Sequence, residues 1–112
     1  MSIQRLPTRW ARTNSNGGNG RPTITVEPGP CCVVAVSHVS ASTDAVGPLL
    51  VRLMADEEVI QAWYVGAVSP LDAHFVPAID IPDGAEVKLD MEAAGAGKFG
   101  VVNLVGNTEQ TA

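Results

Sequence analysis

The sequence predicts an all-β fold, an antiparallel β-sandwich with an extended N-terminal arm, and three observations carry that prediction. Short apolar runs separated by turn residues recur about every ten residues from Arg21 onward, the spacing of a sandwich or barrel. Glycine and proline number 11 and 8 among 112 residues, above their ordinary share, so turns are frequent. The first 21 residues also differ in charge from the rest: they carry Arg5, Arg9, Arg12 and Arg21 and no acid, +4. The other 91 residues hold three basic residues against all twelve acids, −9, and the chain total is −5.

A chain of this size buries about 65% of its unfolded surface, which supports one modest core and excludes a multidomain enzyme. Apolar runs stop at about five residues, as at Cys32 to Val36, far short of the ~20 that a membrane helix needs. Met1-Ser2-Ile3-Gln4-Arg5 lacks the apolar stretch of a signal peptide, so a soluble product made in the cytoplasm is expected.

Residues 1–21 are expected to form the arm. Asn14-Ser15-Asn16-Gly17-Gly18-Asn19-Gly20 favours open polar backbone that buries too little apolar surface to offset its ordering entropy. Fully extended, the arm reaches roughly 70 Å, enough to leave its own domain and lie across a neighbour. Arginine and tryptophan anchor interfaces well, because a guanidinium pairs carboxylates in a fork and an indole buries much area with few torsions to freeze. Arg5, Leu6, Arg9, Trp10, Arg12 and Arg21 are therefore the candidate protein-contact residues. A tail without a role and a nucleic-acid contact are the alternatives; four cations on an acidic chain make a thin phosphate-binding surface, so nucleic acid is not an expected partner. On this reading, removing residues 2–20 leaves a folded domain that no longer attaches.

The body, 22–106, is expected to contain strands near 22–27, 31–40, 48–55, 58–66, 73–80, 85–92 and 98–105, followed by a polar tail at 107–112. Glu27-Pro28-Gly29-Pro30 breaks pairing before the second of these, since proline donates nothing to a ladder. Adjacent Cys31 and Cys32 lack the spacing of a disulfide framework and read as small strand residues. Val33, Val34 and Val36 imply a strand covered on both faces. In the third strand Leu49, Val51 and Leu53 alternate with Leu50, Arg52 and Met54, so its second face is also partly apolar and suited to cover by the arm or a neighbouring subunit. Residues 55–64 are ambiguous: Asp56 is able to cap a helix bearing Val59, Ile60, Trp63 and Tyr64 on one stripe, whereas β-branched and aromatic residues favour a strand. As a strand, Trp63 and Tyr64 point to opposite faces, one to the core and one outward. Ile81-Pro82-Asp83-Gly84 is a turn signal, and Glu86 to Glu92 alternates strictly, with Val87, Leu89 and Met91 inward and four charged residues in water.

No chemistry-bearing motif survives its context. Gly95-Ala96-Gly97-Lys98-Phe99-Gly100 matches G-x-G-x-x-G, but a strand-like Val101-Val102-Asn103-Leu104-Val105 follows where a dinucleotide site needs a helix. A hairpin loop is the better reading. His38 and His74 are the only histidines and form no zinc spacing with the paired cysteines. No metal, no cofactor and no catalytic residue is therefore expected. Asp56, Glu57 and Glu58, like Asp80 and Asp83, read as solvated turns rather than a calcium loop.

Three stretches together resemble small structural proteins of tailed-bacteriophage virions, in particular head decoration or cement proteins. They are Leu49-Leu50-Val51-Arg52-Leu53, His74 through Val87 with its Asp83-Gly84 turn, and Lys98-Phe99-Gly100-Val101-Val102. The likeness is one of strand order and turn chemistry over residues 31–106. It implies a jelly-roll-like sandwich and a non-enzymatic virion protein on the capsid surface, made in the host cytoplasm. It also implies that the domain bridges major capsid subunits, or other virion subunits, while the arm clamps a neighbour, and that the chain is a homo-oligomer with a trimer favoured. The rival expectation is a receptor- or glycan-binding module of a phage tail fibre or head fibre, which an exposed Trp63 or Tyr64 beside acids would support.

Overall fold

A computed structural model describes residues 8–27, 32–81 and 84–110. The expectations placed on Arg5 and Leu6, on the Pro28–Pro30 break and Cys31, on the Pro82-Asp83 turn and on residues 111–112 lie outside the described residues. Among the described residues there are eight strands: β1 (Thr8–Gly18), β2 (Thr23–Val26), β3 (Cys32–Thr43), β4 (Leu49–Ala55), β5 (Glu58–Val65), β6 (Leu71–Ile81), β7 (Val87–Met91) and β8 (Gly95–Gln110). They form two antiparallel four-stranded sheets, β1-β8-β3-β6 and β2-β7-β4-β5. Pairing first with last, second with seventh, third with sixth and fourth with fifth is the strand order of a jelly roll, a long hairpin rolled into two facing sheets. The all-β sandwich expected from the sequence is the fold.

Alternating residues of both sheets make the core. Val34, Val36, Val102 and Leu104 from the first sheet meet Val51, Leu53, Val87, Leu89 and Met91 from the second, all with no exposed surface. Each such side chain contributes about 1.5–3 kcal/mol of burial. Residues 55–64 resolve as a two-residue hairpin, not a helix: Ala55 pairs with Glu58, and Asp56 and Glu57 both take positive φ, 46° and 72°, as the right-handed strand twist demands. Asp56 is held there from both sides, its N–H donating to Glu86 O (3.0 Å) and its carboxylate accepting from Glu86 N–H (2.8 Å). In β5 Trp63 packs inward against the core and Phe75, while Tyr64 is exposed.

The arm is the main correction. Residues 8–18 are extended, but as edge strand β1, in register with β8 from Thr8↔Thr108 to Gly17↔Phe99. The physical reason is Trp10. Its indole packs against the core, and its Nε1–H donates to Thr108 Oγ1 (2.8 Å). It sits over Gly106, its register partner; a Cβ there would stand 2.6 Å from Ala35 O and 2.9 Å from the indole. Gly106→Ala is therefore expected to cost about 1–3 kcal/mol, read as a lower midpoint in thermal denaturation. The polar tail expected from residue 107 is likewise strand: Asn107 and Thr108 pair with β1, and Glu109 and Gln110 with β3. Removing residues 2–20 would thus strip a strand from the sandwich rather than spare it.

A second correction concerns Asp90. Alternation sends it outward, yet it is 3% exposed. Arg52, directly across on β4, covers it in a fork, Nε to Oδ1 at 3.0 Å and Nη2 to Oδ2 at 2.7 Å, with Arg21 at 3.8 Å on the other side. The hydrogen bond to Asp90, reinforced by its charge, raises the Arg52 pKa above its ordinary value. The partly apolar second face of β4 is thus covered in part from within the chain.

Candidate functional site

Four connections meet at one end of the sandwich: 19–22, 44–48, 66–70 and 92–94. Two of them are braced together by Ala67 N–H donating to Ala45 O (2.7 Å). Gly66 and Ser69 exchange backbone bonds at 3.2 and 3.0 Å. Asp44 is tied to the start of β8, its carboxylate accepting from Phe99 N–H (2.9 Å). The loops touch backbone to backbone, since a Cβ on Gly47 would lie 2.6 Å from Val65 O and one on Gly66 2.6 Å from Val46 O. Only glycine permits that approach.

These braced loops and the adjoining end of β5 hold apolar side chains out in water. Val46 is 88%, Val68 93% and Tyr64 69% exposed. With Pro48, Val65, Gly66 and Ser69 they line a concavity of about 260 Å³ that contains no charged residue among the described residues. Isolated exposed apolar residues are ordinary, but a contiguous, conformationally fixed group is the signature of a protein contact. Tyr64 is the exposed aromatic that a glycan site would need, but among the described residues no acid lines its concavity.

The outer face of the first sheet is polar. Thr13 Oγ1 donates to Asn103 Oδ1 (2.8 Å) and Asn103 Nδ2 to Ser40 Oγ (2.9 Å), a row across β1, β8 and β3. Asp72 follows on β6, in register with Ser40. One step along, His38 and His74 face each other across β3 and β6 with rings stacked at 4.1 Å. Both Nε2 atoms approach the same Asp72 oxygen, at 2.5 and 3.4 Å. The His38 hydrogen bond, with both imidazoles adding charge, holds the Asp72 carboxyl below its ordinary value. Arg9, Ser37, Phe75, Val76, Val105 and Asn107 complete a groove of about 350 Å³ beside the histidines.

The residues singled out in the sequence do not form one site. Arg9 is exposed in this groove and Arg12 is exposed on β1, both available to a neighbour. Trp10, expected to anchor on another molecule, anchors its own sheet, and Arg21 turns to Asp90. The histidine cluster went unread because its members lie 34 residues apart; the usable signal was Asp72-x-His74, two ligand types on one face of a strand.

No protein-family model matches the sequence, and no curated protein is similar to it. Among solved structures, the Yersinia pseudotuberculosis-derived mitogen is similar at 9% identity and a TM-score of 0.42, over 96% of this chain and 88% of that one. The virus-like particle of the giant freshwater prawn Macrobrachium rosenbergii extra small virus is similar at 12% identity and a TM-score of 0.42, over 100% and 85%. A mutant of a periplasmic inhibitor of g-type lysozyme from Escherichia coli is similar at 11% identity and a TM-score of 0.39, over 94% of each chain. Likeness this distant assigns no function, and the architecture rests on the strand order of the chain itself.

Proposed function

We propose that this chain is a non-enzymatic structural protein of a virion, a decoration or cement protein that binds shell subunits through the loop end of its jelly roll. The observation that carries the reading is the fixed apolar group Val46, Pro48, Tyr64 and Val68, presented by hydrogen-bonded loops and the end of β5, which cannot fold it away. A partner that covers it removes that surface from water without first ordering a loop, which lowers the entropic cost of association. Exposed Arg9 and Arg12, on opposite faces of edge strand β1, are each available to an acidic neighbour, the role the sequence suggests for the whole arm. A trimer is the expected state of the free protein, and on a repeating shell modest contacts add through effective concentration.

Val46→Glu/Val68→Glu tests this, because both side chains are almost wholly in water and neither supports the core. Affinity for assembled shells is expected to fall at least about 30-fold, the cost of two interface anchors, while the thermal midpoint is unchanged. Unchanged affinity of the double variant would overturn the reading.

A further inference from the structure

We propose that His38, Asp72 and His74 form a binding site for a divalent transition-metal ion, zinc being the ion that two imidazoles and one carboxylate suit best. The site is independent of the loop-end surface and lies on the outer face of the other sheet. The three ligand atoms lie within 4.8 Å of one another, and the two Nε2 atoms converge on one carboxylate oxygen. Bonds of about 2.0–2.2 Å to a tetrahedral ion separate the ligands by roughly 3.3 Å. The His74–Asp72 separation of 3.4 Å already fits. His38 and Asp72, at 2.5 Å, need to part by less than about 1 Å, a small side-chain rotation at an exposed carboxylate, and the two stacked rings, now 11° from parallel, need to tilt so that both Nε2 lone pairs meet the ion. Each imidazole ligates through an Nε2 that carries no proton, so zinc binding competes with protons.

The backbone departs from regularity to build this arrangement. Val34 and Val36 face the core, so strict alternation would send His38 inward as well. A bulge between Val36 and His38 shifts the pairing of β3 with both neighbours, turns His38 outward and returns Val39, with no exposed surface, to the core. Opposite it, β6 runs from His74 to Ile79 through four residues where β3 has only Ser37. Bulges of this kind re-aim side chains next to functional sites. The ligands are fixed by two adjacent strands, but their tips are open, Asp72 and His74 being 69% and 66% exposed in their side chains. Water or an anionic group therefore fills the fourth position, on the side where Arg9 borders the groove.

Because the chain has only two histidines, their imidazole proton resonances report the site without ambiguity. Zinc chloride titrated into tag-free protein at neutral pH is expected to shift both sets together, saturating at one equivalent per chain. The Cys31→Ser/Cys32→Ser background removes thiolate binding from the readout. By calorimetry in that background, His38→Ala and His74→Ala should each weaken zinc by more than the ~10–100-fold that losing an outer-shell partner costs. Asp72→Asn should weaken it less, since an amide oxygen still ligates. All three positions are at the surface, and circular dichroism verifies that the variants fold. Unmoved imidazole resonances, a shift of only one histidine, or calorimetric affinity unaffected by both alanine variants would each overturn the site.

Discussion

Removing residues 2–20 is expected to abolish the cooperative thermal unfolding transition of the domain. The deletion takes away β1 and with it the ladder from Thr8↔Thr108 to Gly17↔Phe99. Each lost backbone bond is worth about 0.5–1.5 kcal/mol net, and loss of the Trp10 indole from over Gly106 adds about 2–4 kcal/mol, below a fully buried tryptophan because Trp10 is half-buried. Together these approach the 5–15 kcal/mol of a whole domain. The sixteen-residue strand β8 would also be left with an open edge beside Val102 and Leu104, which invites edge-to-edge association. Circular dichroism melts and size-exclusion chromatography read both consequences. Trp10→Ala alone should lower the midpoint and keep the transition cooperative. A deletion variant that melts at the wild-type temperature would show that β1 is no part of the folded domain.

Arg52→Ala should be the most damaging single change on the outer face of the second sheet, at about 2–3 kcal/mol. Breaking a buried pair from one side costs about 3–5 kcal/mol when the remaining charge is fully enclosed. Asp90 is enclosed, its side chain 5% exposed, but Arg21 stands 3.8 Å away and retains part of the attraction. Arg52→Lys should recover only part of the loss, since an ammonium cannot reproduce the two-point fork. Replacing both partners, Arg52→Met with Asp90→Leu, should return stability to near the wild-type value, because no buried charge is left without a partner and Arg21, its side chain 49% exposed, stays solvated. Urea denaturation of the four proteins checks the series; equal destabilisation by the single and double changes would refute it.

The two corrections have a common origin. Residues 8–13, Thr-Arg-Trp-Ala-Arg-Thr, include the strand-forming Thr8, Trp10 and Thr13, but their arginines and the Asn/Gly run after them dominate a reading by composition. Composition measures how much apolar surface a segment owns; it does not register a backbone ladder offered by a strand 90 residues away. Asp90 failed for a related reason. Alternation correctly assigns it to the outer face, but whether an outer position is wet depends on what stands beside it, and here that is Arg52 from 38 residues earlier. Trp63 and Tyr64 show the converse case: once β5 is a strand, adjacent residues face opposite ways, and one goes inward and the other to solvent.

By itself the sequence determined the all-β class, seven of the eight strands to within two residues of most ends, and the inward faces of β4 and β7. Each depends on neighbours a few positions apart, through turn dihedrals, proline's missing donor and the two-residue period of a strand. Tertiary structure alone decided the rest: that the arm is the first strand of a jelly roll, that Asp90 is enclosed, that Val46 and Val68 share one loop end, and that His38 faces Asp72 and His74. Those features bring together residues distant along the chain, and pairing register, with a bulge that reverses the facing of everything after it, is set by the sum of contacts across both sheets.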